Sequence, residues 1–444
     1  MSTLQLHATA ARVVEQCLSN QKNLSIRRIV EGVCQAATDK ERKAVFAIVC
    51  QVLKYKEPVS TIIANSGINP SALKGKKSSI YLVLIYELLF GKGFKSAPSQ
   101  LRNLVIPHKT RLTAELAKLK IKRRAVKNED LIPEHIRNAV VLPRFARVNT
   151  LVTTMDQCLK DLAKNGYELI EYEDGMDLSK LKLTMVKDPH IPSLLVLPPN
   201  SDFHNHELLL KGHIILQDKA SCFPAFILNP PKNATVIDGC AAPGNKTSQL
   251  SMIMNNTGTI HAFDKDSARL QTLIKLTGRS GCKNITPKRM SFLDVDPNDK
   301  MYAGVEYILL DPSCSGSGIT RRLDHLLIQS DTATAEEEEL DENGGIVSGE
   351  ARIKALADFQ VEVLMHAFKF KKVKKVAYST CSKHREENEG VVERVLALQS
   401  DFKLVKNVFP EWKRRGVDGF EEVIRTLPEE DNCIGFFVAL FERK

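Results

Sequence analysis

The chain has 444 residues, with 63 Lys and Arg against 53 Asp and Glu, a formal net charge of +10. At roughly 100–200 residues per domain this length implies two to four domains, each with its own core, and excludes a disulfide-stapled mini-fold. A composition 43% hydrophobic and 26% charged is that of a globular protein rather than a disordered or fibrous one.

Ten cysteines are scattered with no CxxC pair and no Cys/His cluster of zinc-ligand spacing, so reduced thiols and no metal site are expected. The positive balance points to a polyanionic partner. The longest apolar stretch, Ser79–Phe90, is interrupted by Glu87 and falls short of the ~18 residues of a membrane span. The first residues carry no signal-peptide pattern, so an intracellular protein away from membranes is expected.

Residues 1 to about 130 read as helices, over Ala10–Gln21, Ser25–Thr38, Asp39–Lys54 and Ser78–Phe90. A basic segment follows, with Lys109, Arg111, Lys118, Lys120, Lys122, Arg123, Arg124 and Lys127 against Glu115 alone. The unremarkable reading of such a run is a solvated helix face. From Arg144 the pattern changes to β-like runs around one helix: Phe145–Asn149, a helix at Met155–Gly166, Leu194–Leu197 and Ile214–Gln217.

Strand-like and helical runs then alternate. ATVID (234–238) precedes a helix from Asn245, TIHAFD (259–264) a helix from Asp266, VEYILLD (305–311) a helix from Glu350, and KVAYST (375–380) closes the series. That alternation predicts an α/β fold, a doubly wound, mainly parallel sheet with its ligands at the strand C-termini. The acidic stretch Asp331–Gly349 interrupts it and is expected to be a mobile surface loop, a tolerated insertion. The lysine run KFKKVKK (369–375) reads as a solvated helix end.

Three stretches carry chemistry. Asp238-Gly239-Cys240-Ala241-Ala242-Pro243-Gly244-Asn245-Lys246-Thr247 turns from a strand into a helix, and its small residues let the backbone approach a ligand. Asn245 between Gly244 and Lys246 breaks the GxxxxGK[ST] spacing of a phosphate-cradling loop, and no GxGxxG is present. What remains is a turn over a ligand without a long phosphate chain, with Asp264 ending the next strand where ribose hydroxyls could bond. S-adenosylmethionine (SAM) fits.

The second and third stretches are Asp311-Pro312-Ser313-Cys314-Ser315-Gly316-Ser317-Gly318 and Ser379-Thr380-Cys381-Ser382, each after a strand. A lone cysteine is usually a packing thiol. Two on loops at the ligand face, beside an acid, point to thiol chemistry.

DGCAAPGNKTSQL, AFDKD, ILLDPSCSGSG, YSTCS with the following EEN, and the terminal GFFVALFERK resemble the SAM-dependent RNA cytosine-5 methyltransferases of the Nol/Nop/Sun type. PRFARVNT (143–150), ILQDKAS (215–221) and YELLFGKGF (86–94) look like the subgroup acting on large-subunit ribosomal RNA. The resemblance implies a seven-stranded methyltransferase sheet over 218–444, a small α/β RNA-binding module over 143–217 and a helical domain over 1–142. It also implies Cys381 as the nucleophile at carbon 6 of cytosine, Cys314 assisting proton removal and product release, and Asp311 on the ring nitrogen or amine with Lys246 beside it.

Cys240, Ala241, Ala242, Pro243, Gly244, Asn245 and Lys246 are then expected along the methionine and ribose of SAM, Asp264 on the ribose, Arg269 nearby and Asp294 near the adenine, with Asp311 bordering the cofactor. Plainer roles stand beside these. Lys246 could cap a surface helix, Arg269 could only pair with Asp264 or Asp266, Asp294 could be a solvated acid, and Cys240 a packing thiol. A flipped-out base needs its flanks gripped, for which the 143–217 module and the basic segment are the candidates, with Phe145 stacking or in the core. The expected partner is large-subunit ribosomal RNA or a pre-ribosomal particle, in the nucleolus, met by a monomer. A SAM-pocket scaffold without activity, and a DNA methylase with Cys314 as nucleophile, are the competing readings.

Overall fold

The computed structural model describes residues 3–19, 26–68, 79–91, 93, 103–138, 140–199, 201–203, 205–319, 338–340 and 346–444. Contacts divide them into two compact units, one up to residue 138 and one from residue 140 onward. No helix among the described residues is long and apolar enough to cross a membrane.

The first unit is helical: Thr3–Leu18, Ile26–Val33, Asp39–Lys54, Lys56–Asn65, Ser79–Leu89 and Lys109–Lys122 are its longer helices. Thr38 and Glu41 form a reciprocal capping box that starts the third. The fourth is not among the helices expected from the sequence. Pro58 lies in the first helical turn, where its missing N–H has no intrahelical partner to lose. Ser79–Tyr86 are buried without interruption, which makes that helix the centre of the unit's core. Leu112 and Leu119, seven residues apart, seat the Lys109–Lys122 helix, while Lys118, Lys122, Arg124 and Lys127 are exposed.

The second unit holds two sheets. The smaller contains β1 (Arg144–Val148), β2 (Glu168–Leu169), β3 (Thr184–Lys187), β4 (Leu194–Leu197) and β5 (Ile214–Leu216), in the order β2-β3-β4-β1-β5, with the helix Met155–Lys164 on one face. All pairs but β2/β3 are antiparallel. Phe145 is 4% exposed in the core beneath this sheet, so it is not a stacking platform.

The larger sheet contains β6 (Thr235–Asp238), β7 (Thr259–Asp264), β8 (Ile285–Arg289), β9 (Val305–Leu310), β12 (Lys375–Thr380), β13 (Phe402–Leu404), β14 (Ile424–Thr426) and β15 (Phe436–Arg443). Seven run in the order β13-β15-β12-β9-β6-β7-β8, and β14 adds an eighth by pairing with β15. From β12 to β8 every pair is parallel. β15 is antiparallel to both β12 and β13. The chain passes from β6 outward to β7 and β8, then returns to β9 on the other side of β6. That reversal opens a crevice at the strand C-termini.

β10 (Glu338–Leu340) and β11 (Ile346–Ser348) form an antiparallel ladder inside the acidic stretch, where a loop is expected. Residues 331–337 and 341–345 of that stretch lie outside the described residues. After the helix Gly349–Ala367, the KFKKVKK run forms the turn into β12, and Lys374 pairs with Glu306.

Candidate active site

The turn after β6 is fixed by backbone contacts to both neighbouring strands: Gly239 N–H donates to Leu309 O and Ala241 N–H to Phe263 O, each at 2.9 Å. A Cβ on Gly239 would lie 2.8 Å from the Leu310 side chain and 3.0 Å from the Phe292 ring, so any larger residue forces these neighbours to shift. Gly244, at φ +103°, caps the helix Asn245–Ile253 in a conformation that L side chains rarely adopt. Ala241 and Ala242 are buried and Pro243 is exposed, while Cys240 is partly covered and its thiol is pushed up by burial.

Two acids, Asp238 and Asp264, border this turn. Asp238 accepts from Thr247 Oγ1 at 2.7 Å through one oxygen, and its other oxygen is buried with no partner. Burial is the main reason its pKa rises to about 7. Asp264, 4% exposed, ends β7 and accepts from Asp266 N–H at 2.9 Å. Arg269 reaches back to donate to Ala242 O at 2.8 Å, with Asp264 at 3.6 Å, so it does more than pair with an acid. Asp294 is exposed at the end of the short helical turn Phe292–Asp294, and Met290 N–H donates to Asp264 O at 3.2 Å just before it.

Lys246 turns inward. Its side chain is 11% exposed, and Nζ donates to Asp311 Oδ2 at 2.7 Å and to Ser221 Oγ at 3.2 Å, 5.2 Å from the Phe436 ring. Burial works against the ammonium, but the charge and hydrogen bond of Asp311 outweigh it and leave the pKa above the ordinary lysine value. The other Asp311 oxygen accepts from Ser379 Oγ at 2.8 Å.

Beside this pair Cys314 Sγ and Cys381 Sγ lie 3.1 Å apart, both partly exposed and neither in a disulfide. The hydrogen bond between them holds Cys314 below the ordinary thiol range. The same bond, with burial and the negative Cys314 and Asp311 nearby, pushes Cys381 up, Lys246 opposing. Either thiol can donate that bond, so the first ionisation belongs to the pair.

The loops that carry the thiols are held from behind. Buried Glu387 accepts from Ser315 N–H at 2.9 Å and from Gln360 Nε2 at 3.0 Å, and Gln360 also donates to Ser313 O at 3.0 Å. Gly318 N–H donates to Cys381 O at 2.9 Å, which ties one cysteine loop to the other. The structure thus brings Asp311, Cys314, Cys381 and Lys246 together, with the 240–246 turn and Asp264 along the same strand ends. Ser221, Ser379, Gln360 and Glu387 are not singled out by sequence reasoning. Ser379, Glu387 and Ser221 lie inside stretches that draw attention, STCS, EEN and ILQDKAS, but none of them is given a role there, and Gln360 has no local signal.

Turn, acids and thiols at the C-terminal ends of a sheet of this order define a SAM-dependent methyltransferase fold. Residues 225–442 match the family described as 16S rRNA methyltransferase RsmB/F. Residues 142–217 match the ferredoxin-like domain, and 43–132 the N-terminal domain, of NOL1/NOP2/Sun domain family member 5. A 28S rRNA (cytosine-C(5))-methyltransferase of Mus musculus is 39% identical over 99% of this chain and 91% of that protein. The 25S rRNA (cytosine-C(5))-methyltransferase rcm1 of Schizosaccharomyces pombe is 38% identical, over 89% and 84%. The crystal structure of PH0851 shares the fold, with a TM-score of 0.66 at 21% identity over 98% of both chains. The chain belongs to the NOL1/NOP2/Sun family of RNA cytosine-5 methyltransferases.

Proposed function

We propose that this protein methylates carbon 5 of a cytosine in large-subunit ribosomal RNA by way of a covalent Cys381 adduct. The observation that carries the reading is the pair of thiols 3.1 Å apart beside the Lys246–Asp311 ion pair.

Carbon 5 of cytosine is a weak nucleophile until another nucleophile adds at carbon 6. Cys314, as the thiolate, takes the Cys381 proton while the Cys381 sulfur bonds to carbon 6 and the double-bond electrons move to carbon 5. Asp311, held by Lys246 and Ser379, accepts from the exocyclic amine and holds the ring in place, and the Lys246 ammonium behind it offsets the charge that gathers on the ring. Bound SAM supplies an electrophilic methyl group. Cys314, its first proton released to solvent, then takes the carbon 5 proton; the ring double bond re-forms and Cys381 leaves as a thiolate. One proton is released per methyl group transferred.

The turn residues fit SAM. Gly239 and Gly244 let the backbone come close, the partnerless oxygen of Asp238 awaits a donor, and Asp264 stands at the end of the adjacent strand for ribose hydroxyls. Cys240–Lys246 would hold the methionine and ribose, Arg269 holds the turn against Asp264, and Asp294 would serve the adenine. Domains at 1–142, 143–217 and 218–444 divide the work, the first two gripping RNA through the basic segment and the small sheet. The working place is the nucleolus, on ribosomal RNA or a pre-ribosomal particle.

The test is transfer of labelled methyl from SAM to large-subunit ribosomal RNA by the purified protein, with bisulfite mapping of the product. Methylation of one cytosine is expected. SAM and RNA binding without transfer would instead make the protein a scaffold.

A further inference from the structure

Arg147 lies on β1 of the small sheet and is completely buried. Its guanidinium meets four acceptors without charge: Nε donates to Gln217 Oε1 at 2.8 Å, one terminal nitrogen to Ser248 Oγ at 2.8 Å and Asn245 O at 3.1 Å, and the other faces Met252 Sδ at 3.4 Å. These hydrogen bonds bring it no carboxylate. Burial pushes its pKa down to about 10, still high enough for a full charge at neutral pH. The charge also lies against the first turn of the helix Asn245–Ile253, the positive end of that helix dipole. A buried cation in such a place is costly, and the planar five-donor fork is what an apolar residue could not replace.

The fork spans three segments: its own strand, the end of the small sheet, and the helix that follows the Gly244 turn. From Gln217 the network continues to Ser221 O at 3.0 Å and to Gln249 Oε1 at 3.1 Å, and Gln249 donates to Cys222 O at 2.9 Å. Ser221 in turn accepts from Lys246 Nζ. Lys246 is therefore tethered to Arg147 by two routes, through the backbone of Asn245 and through Gln217 and Ser221.

We propose that Arg147 is a positioning residue that locks the Gly244–Lys246 turn to the small sheet, keeping the turn shaped for SAM and Lys246 on Asp311. This rests on the function proposed above, in which that turn holds SAM. It does not touch the reacting atoms.

Arg147→Met, Arg147→Lys and Ser248→Ala in the full chain, with SAM and RNA dissociation constants measured separately by calorimetry, test it. The expected result for Arg147→Met is a SAM dissociation constant at least tenfold weaker, with RNA binding in the absence of SAM within twofold of wild type. Arg147→Lys recovers part of the loss, and Ser248→Ala, which removes one acceptor, weakens SAM about threefold. SAM affinity unchanged in folded Arg147→Met, or SAM and RNA affinity falling together with the melting temperature, overturns the tether. If Arg147→Met does not fold, Ser248→Ala decides, and unchanged SAM affinity there is fatal. A wild-type chain that binds no SAM overturns both readings, whereas one that binds SAM while every variant matches it overturns the tether alone.

Discussion

At residue scale the two cysteines are unequal, and their inequality is testable. The proposed mechanism starts with Cys314 as the thiolate, so iodoacetamide at neutral pH should modify it before Cys381, as peptide mass spectrometry would reveal; the reverse order would contradict that assignment. Cys381→Ala should abolish methyl transfer. Cys314→Ala should accumulate a protein–RNA adduct that survives a denaturing gel, because no base then takes the carbon 5 proton. Asp238 offers a pH signature. Its carboxyl binds a proton more tightly folded than unfolded, so the wild type loses stability as pH rises from about 4 to about 7, by at most ~4 kcal/mol at ~1.4 kcal/mol per pKa unit. Asp238→Asn keeps the partner of Thr247 and removes the titration. Its melting temperature relative to wild type should be higher at pH 8 than at pH 5, and a constant difference would show that the carboxylate is not penalised.

At the scale of elements, the turn after β6 is set by glycine geometry. Gly244→Ala places a methyl group 3.1 Å from Leu273 in a left-handed backbone conformation, a strain of about 1–3 kcal/mol. SAM binding should weaken by tenfold or more, with the far-ultraviolet spectrum unchanged; wild-type affinity would mean that the turn relaxes freely. The strands that place the site were readable as apolar runs: TIHAFD and KVAYST coincide with β7 and β12, and helices begin at Asn245 and, capped by Asp266, at Ser267. β8 was not readable. Its sequence, ITPKR, is mostly exposed at the sheet edge, carries a proline and lacks the periodicity that burial imposes. β15 is strongly apolar, yet its insertion between β12 and β13 and its antiparallel direction are set by pairing partners far away in sequence.

For the whole molecule, the net charge of +10 is distributed unevenly, and the exposed Lys122, Arg124 and Lys127 end the basic segment of the helical unit. Replacing these three with alanine should reduce the slope of log affinity for RNA against log salt by about 2, at ~0.7 per phosphate contact for single strands. An unchanged slope would remove this segment from the RNA surface. Sequence alone determined the alternation that makes the large sheet, the strand-to-helix turn at 238–247, and the presence of two cysteines and an acid after strands, because these follow from local periodicity and from residue types with few other uses. It could not determine that Cys314 and Cys381, 67 residues apart, share a hydrogen bond, that Phe145 is core, or that Arg147 reaches Asn245 and Ser248 about a hundred residues away. Those facts depend on the order in which strands pair and on which side chains are removed from water together, and no local pattern encodes either.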